Sequence, residues 1–227
     1  MSLLTVGHRG LMGVEPENTL RSFRRAERAG LDAIELDVRL SADDALVVMH
    51  DARVDRTTDG HGAVAELTLA ELRSLDAGRG ERVPTLEEVV AEVGGHLQVE
   101  IKDTAVAERL ADLVERHRLH RRVTVISFHD TALSTVAALL PEVPRGLVTG
   151  TSTPSAPERA VALGCALVSG ELPRLDDEVV GRCRAAGLAV LGWTVNTADE
   201  LARARALGLD GVVTDRPEIV RAVSPAA

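Results

Sequence analysis

The sequence predicts an α/β protein built as one TIM-type (βα)8 barrel, and three observations predict it. The chain has 227 residues and no obvious linker, which suits one barrel-sized domain over 1–227 better than two small ones. Short apolar runs recur at 3–6, 33–38, 45–49, 97–101, 123–126, 146–148, 166–168, 189–193 and 211–213, mostly separated by stretches rich in Ala, Arg, Glu and Leu. From about residue 97 onward these runs start roughly one βα unit apart, a little over 20 residues, the length a parallel crossover needs.

The helices between the runs announce their ends. Thr85 with Glu88, Thr197 with Glu200 and Thr68 with Glu71 each fit the capping box, in which side chains satisfy orphan amides reciprocally. Gly30, Gly187 and Gly208 stand where helices should stop, because glycine accepts the left-handed cap conformation.

Nine runs are one too many for eight strands. Only Ser41-Ala42-Asp43-Asp44 separates the run at 33–40 from that at 45–50, too short a gap for a crossover helix. Segments 36–40 and 46–50 therefore read as an antiparallel hairpin turning at Asp43-Asp44. Symmetric pairing about that turn places Asp37 opposite His50. Residues 51–84 lack a barrel strand and read as a small insertion over the barrel mouth, after the second barrel strand and its hairpin. Ser224 to Ala227 read as a loose tail.

Composition narrows the function. Hydrophobic residues make up 45% of the chain, enough for a sizeable core, but with one Trp, two Phe and no Tyr that core must be built from Leu, Val and Ala. A net charge of −9 argues against a nucleic-acid or anionic-membrane binder. It leaves room for an anionic small substrate, since a few local cations hold one phosphate. Cys165 and Cys183 lack metal-ligand spacing and read as reduced thiols. No stretch approaches membrane-span length. The apolar start runs into Gly7-His8-Arg9-Gly10 too soon for a secretory leader, so a cytoplasmic location is expected. Oligomeric state leaves no mark on the sequence.

Barrel active sites lie at the carboxyl ends of the strands, and polar residues collect there. The first strand ends in His8-Arg9. The second carries Glu35 and Asp37, two apart and so on one face. The hairpin returns with His50-Asp51. Glu100 and Lys102 share one face of the run near 97–101, and Trp193 and Asn196 close the penultimate barrel strand. Three carboxylates suit a hard divalent cation with oxygen ligands. Two histidines suit proton transfer near neutral pH. Arg9 and Lys102 suit the non-bridging oxygens of a phosphate. Taken singly, each has a plainer reading: a solvated carboxylate, a structural histidine, a Glu100–Lys102 ion pair. Their convergence at strand ends points to metal-assisted phosphoryl transfer.

On these motifs the chain resembles the glycerophosphodiester phosphodiesterase family. They are His8-Arg9-Gly10, Pro16-Glu17-Asn18-Thr19, Glu35-Leu36-Asp37-Val38, Val47-Val48-Met49-His50-Asp51, Arg56-Thr57-Thr58-Asp59-Gly60, Leu75-Asp76-Ala77-Gly78, Val99-Glu100-Ile101-Lys102, Ser127-Phe128, Trp193-Thr194-Val195-Asn196 and Thr214-Asp215-Arg216-Pro217. They follow the family's order over nearly the whole chain. The resemblance implies that Glu35, Asp37 and Glu100 hold one divalent cation, Mg2+ or Ca2+ with Mn2+ as a further candidate. It implies that His8 and His50 form an acid–base pair, that Arg9 and Lys102 contact phosphate, and that Trp193 lines the substrate pocket. Glu17 and Asn18 belong to the motif in supporting roles, Glu17 orienting Arg9 rather than binding metal. The implied reaction converts a small water-soluble glycerophosphodiester and water into glycerol 3-phosphate and an alcohol. Two other readings stand beside it: a lysophospholipase D or sphingomyelinase D type activity, which the polar insertion disfavours, and a non-catalytic phosphate-binding barrel. His61, His96, His117 and His120 read as peripheral, as does His129. Ser127 has no base nearby in sequence, and Gly94-Gly95 reads as a turn.

Overall fold

The computed structural model describes residues 3–223; the expected tail, Ser224 to Ala227, lies outside them. Nine strands run through these residues: β1 (Leu4–Gly7), β2 (Ala33–Leu40), β3 (Leu46–Val48), β4 (His96–Ile101), β5 (Val123–Ser127), β6 (Arg145–Thr149), β7 (Leu167–Glu171), β8 (Ala189–Trp193) and β9 (Gly211–Thr214). All but β3 pair in parallel, and β1 pairs with both β9 and β2, so eight strands close into a barrel with helices between them. The apolar runs foretell these strands to within a few residues. The largest difference is at β7, which extends through Ser169-Gly170-Glu171 beyond its apolar run.

Side-chain alternation sorts each strand into an inward and an outward face. Outward residues such as Leu36, Val38, Val99 and Ile101 pack against helices in one apolar layer, and Leu147, Val168, Val190 and Val212 do so in another. Inside the barrel, Val6, Ala33, Leu191 and Val213 form a small apolar plug beneath the polar mouth. Leu, Val and Ala do fill most of the core; the one fully buried aromatic is Phe23, on helix α1 (Leu20–Ala29). The three foreseen capping boxes are all formed, at Thr68, Thr85 and Thr197. Gly30, Gly187 and Gly208 adopt positive φ after their helices. No described helix is long and apolar enough to cross a membrane.

β3 returns antiparallel along the outer end of β2, with Val38 opposite Val48, Arg39 opposite Val47 and Leu40 opposite Leu46. The register differs by one from symmetric pairing about Asp43-Asp44. Residues 41–45 form a five-residue loop centred on Asp43, with Asp44 in the left-handed region at φ 61°. Ser41 holds it: its hydroxyl donates to Asp43 Oδ1 and accepts from the Ala45 amide. Met49, not His50, therefore lies opposite Asp37, and its amide donates to the Asp37 carbonyl at 3.0 Å. Val48, opposite Val38, joins the outer apolar layer, while Val47 and Met49 face the other way and pack with Val54, Val64, Leu72, Ala77 and Val83 from the segment that follows. That segment carries one short α-helix, α2 (Leu69–Ser74), and this cluster seats it on the hairpin.

Candidate active site

The barrel's carboxyl end opens into a cavity of about 140 Å³. Seven of its lining residues are His8, Arg9, Glu35, His50, Glu100, Lys102 and Trp193. Register explains the gathering. Glu35 and Asp37 share the inward face of β2. In the neighbouring strand, Gln98 stands opposite Glu35 and Glu100 opposite Asp37. Lys102 continues the inward row of β4 by one step. Oxygens of Glu35, Asp37 and Glu100 lie within 4.8 Å of one another, and all three residues are buried.

Three buried carboxylates face two largely buried cations. The Lys102 Nζ donates to Glu100 Oε1 at 2.5 Å and lies 2.9 Å from Asp37 Oδ1. Arg9 Nε lies 3.3 Å from Asp37 Oδ2, and its Nη1 donates to Glu17 Oε1 at 2.8 Å. Glu35 Oε2 accepts from the Arg9 amide at 2.9 Å. Asn18, itself buried, donates through Nδ2 to Asp37 Oδ2 at 2.8 Å. Arg9 and Asn18 both hold positive φ, 48° and 56°, a conformation that non-glycine residues keep when their surroundings force it. Gly10 follows at φ 84° with Ser22 packed so close that a Cβ would fall 2.3 Å from its hydroxyl oxygen. Only glycine fits where α1 meets this loop.

The charge balance leaves the carboxylates short of partners. Burial, then the negative charges of Asp37 and Glu100, push Glu35 well above the usual carboxylate range. Burial and Asp37 likewise raise Glu100. Burial also pushes Asp37 upward, but Lys102 and then Arg9 outweigh it and hold it low. Burial pulls Lys102 down, but Asp37 and Glu100 outweigh it and hold the ammonium above its usual range. Asp37 Oδ1 is buried without a well-aimed hydrogen bond, since the Lys102 ammonium approaches it obliquely. Three clustered oxygen donors with an open lone pair, and more negative than positive charge around them, fit a hard divalent cation.

Each histidine is anchored at Nδ1 by a carboxylate. His8 Nδ1 lies 2.7 Å from Asp215 Oδ1, and His50 Nδ1 lies 2.6 Å from Asp51 Oδ1. Nε2 is thus the nitrogen each leaves to the cavity. Asn196 fixes Asp215: its Nδ2 donates to Asp215 Oδ2 at 2.6 Å, and its Oδ1 accepts from the Asp215 amide at 2.8 Å. Burial, opposed by Asp37 and by the hydrogen bond to Asp51, lowers the His50 imidazole below its usual range. The far wall is apolar. Phe128 and Trp193 meet edge to face with centroids 6.1 Å apart, and the indole N–H donates to the Ser169 carbonyl at 3.0 Å.

Sequence reasoning named Asp215, Asn196, Asp51 and Phe128 as motif members without roles, and passed over Gln98, whose buried Oε1 has no partner. The alternation that marked Glu100 and Lys102 on one face of β4 extends to Gln98 and was the signal for it. The Ser127 hydroxyl donates to the Ile101 carbonyl at 2.8 Å and is buried. His129 precedes the helix Asp130–Leu139 as its cap residue.

Comparison with known proteins places the chain in a family. The model of the glycerophosphoryl diester phosphodiesterase family matches residues 8–219. The chain is 34% identical, over 96% of both chains, to a glycerophosphodiester phosphodiesterase of Caldanaerobacter subterraneus subsp. tengcongensis. It superposes with a TM-score of 0.87 on an Oleispira antarctica phosphodiesterase in complex with the product sn-glycerol-3-phosphate, at 32% identity over 98% of this chain and 96% of that one. The glycerophosphodiester phosphodiesterase of Thermotoga maritima gives a TM-score of 0.85 at 26% identity, covering 99% of both chains. By its barrel, its pocket and its sequence, this chain belongs to the glycerophosphoryl diester phosphodiesterase family.

Proposed function

We propose that the chain hydrolyses small glycerophosphodiesters to glycerol 3-phosphate and an alcohol, with Glu35, Asp37 and Glu100 holding one divalent cation, Mg2+ or Ca2+, and Mn2+ in the same class. The observation that carries this reading is the one cavity at which Glu35, Glu100, two carboxylate-anchored histidines, Arg9 and Lys102 converge, with Asp37 clustered against the two glutamates. A divalent cation on those oxygens supplies Lewis-acid polarisation of a phosphoryl oxygen.

The rest of the chemistry belongs to the side chains. Arg9 and Lys102 take the non-bridging phosphate oxygens and offset the charge that grows in the transition state. One histidine accepts the proton of the attacking hydroxyl through Nε2. The other donates a proton to the departing alkoxide, a poor leaving group when unassisted. Asp51 and Asp215 keep each imidazole in the tautomer and orientation this exchange needs, with Nδ1–H turned to the carboxylate. Asn18 and Glu17 hold Asp37 and Arg9 in place. Trp193 and Phe128 form the apolar wall against which the diester lies, and residues 51–84 cap the mouth of what acts as one domain. The polar segment favours a water-soluble alcohol over a lipid tail. Hydrolysis of glycerophosphocholine by the protein as prepared, after chelation and after return of each metal tests the reading. Release of glycerol 3-phosphate that stops on chelation and returns with metal is the expected result; full turnover by metal-stripped protein overturns the metal assignment.

A further inference from the structure

Beside the cavity, one half-exposed guanidinium joins two carboxylates that each hold a cavity residue. Arg56 belongs to the segment between β3 and β4, outside the barrel. Its Nε and Nη2 donate to Asp51 Oδ2 and Oδ1 at 2.6 and 3.0 Å. Its Nη1 and Nη2 donate to Glu17 Oε2 and Oε1, both at 2.8 Å. Asp51 Oδ1 also engages His50 Nδ1, and Glu17 Oε1 also accepts from Arg9. The path His50–Asp51–Arg56–Glu17–Arg9 is therefore unbroken, and charged groups take part in every link.

Geometry separates this from an ordinary surface ion pair. Exposed single pairs contribute little, because two long side chains must be held in place for a screened attraction. Here one planar fork makes paired hydrogen bonds to two carboxylates at once, and each carboxylate already holds a cavity residue. Such a fork fixes angle as well as distance, which an ammonium cannot. Glu17 is nearly buried, so its Arg9 end has little room to adjust. The Arg56 hydrogen bond, and after it that of His50, keep Asp51 ionised against the opposing effect of partial burial. Arg56 itself does not line the cavity. Its influence on a bound diester must pass through its neighbours.

We propose that Arg56 is a positioning residue for the hydrolysis: by clamping Asp51 and Glu17 together, it holds the His50 imidazole and the Arg9 guanidinium in one relative geometry. The proposal rests on the roles given to His50 and Arg9 above. It makes the segment 51–84 a working part of the site, since the clamp arrives from that segment and not from a barrel strand.

The test is steady-state hydrolysis of glycerophosphocholine by the metal-loaded full chain. Arg56→Ala and Arg56→Lys should each lose roughly 10-fold or more in kcat, the scale on which residues supporting a site act. Arg53→Ala serves as the control: Arg53 lies in the same segment but pairs only with Asp55, and its variant should keep kcat. Asp51→Asn combined with Glu17→Gln cuts both arms of the clamp, and in that background Arg56→Ala should change kcat no further. Melting curves for each variant separate lost folding from lost turnover. Wild-type kcat in Arg56→Lys would mean that charge alone matters and would overturn the clamp. An equal loss from Arg56→Ala with and without the two arms would overturn it as well, as the mark of a staple for the segment. If His50→Ala keeps its kcat, the two-histidine reading fails and takes the proposal with it. If His50→Ala collapses while the Arg56 variants do not, the clamp alone is wrong.

Discussion

His8 and Asp215 meet across 207 positions of sequence, with Nδ1 2.7 Å from Oδ1. One residue follows the first strand and the other follows the last, so the contact sits on the seam where the barrel closes. It converts closure of the fold into orientation of a ring. Asp215→Asn should lower kcat roughly 10–100-fold with little change in KM, the usual cost of losing a supporting partner. In the His8→Ala background the same substitution should have almost no further effect, because residues acting as a unit are not additive. Additive losses in that cycle would show that Asp215 acts elsewhere.

The same aspartate gives a pH signature. Burial pushes Asp215 upward, but the hydrogen bond and charge of His8, the Asn196 amide and Arg9 outweigh it and hold the carboxyl below its usual range. A depressed folded-state value contributes stability above the unfolded pKa, about 3.9, and loses it as pH falls through the folded one. The stability gap between wild type and Asp215→Asn should thus be steady near neutrality and shrink below about pH 4. Urea denaturation from pH 7 to pH 3 reads the gap directly, and a gap that widens in acid contradicts the assignment.

Metal binding should be visible without turnover. Mg2+, Mn2+ or Ca2+ added to chelator-treated protein should raise Tm, since a ligand that binds the folded state stabilises it by mass action. Glu100→Ala removes one of the three oxygen donors and leaves Lys102 without its 2.5 Å partner. Its Tm should respond weakly to metal, and its activity should need far more metal. A metal-induced shift in Glu100→Ala equal to wild type would remove that residue from the ligand set.

The histidines can be told apart by leaving group. His8→Ala and His50→Ala should each lower kcat on glycerophosphocholine by about 10²–10⁴-fold. A nitrophenyl diester, whose leaving group needs no proton, should rescue the variant lacking the acid and not the one lacking the base. Rescue of both, or of neither, would break the division of labour.

Cysteine chemistry should be quiet. Burial pushes the Cys165 thiol up to about 11 and raises Cys183 as well. The thiolate is the reactive form, so at pH 8 neither side chain should be alkylated at the rate of a free thiol until the protein is unfolded. Fast labelling of the native chain would show that either site opens readily.

Much of this was legible in the sequence, for a local reason. Strands such as Val123–Ser127 and Gly211–Thr214 are buried along their whole length and mostly apolar, because a parallel barrel buries both faces. Glu35 with Asp37, and Glu100 with Lys102, are spaced by two, so their shared face follows from pleat alone. Apart from Gln98, what escaped depends on contacts that no local pattern encodes. Asp215 reaches His8, and Arg56 reaches Glu17, only after the chain has closed on itself. The hairpin register slipped by one because a loop held by Ser41 is as compatible with the sequence as a tighter turn at Asp43-Asp44.

That loop carries a consequence for how the chain can drift over generations. Strand side chains alternate faces, so a one-residue slip exchanges the whole set. Gaining or losing a single residue within 41–45 would slide β3 along β2. Val47 and Met49 would leave the apolar cluster they share with Val54 and Leu72, and His50 would turn from the cavity. Length changes there strike packing and proton transfer together. Exposed stretches such as the helix ends near Gly187 and Gly208 carry no such register and can absorb extra residues at little cost. Descendants of this chain should therefore vary in length around the rim while counting residues 41–45 without error.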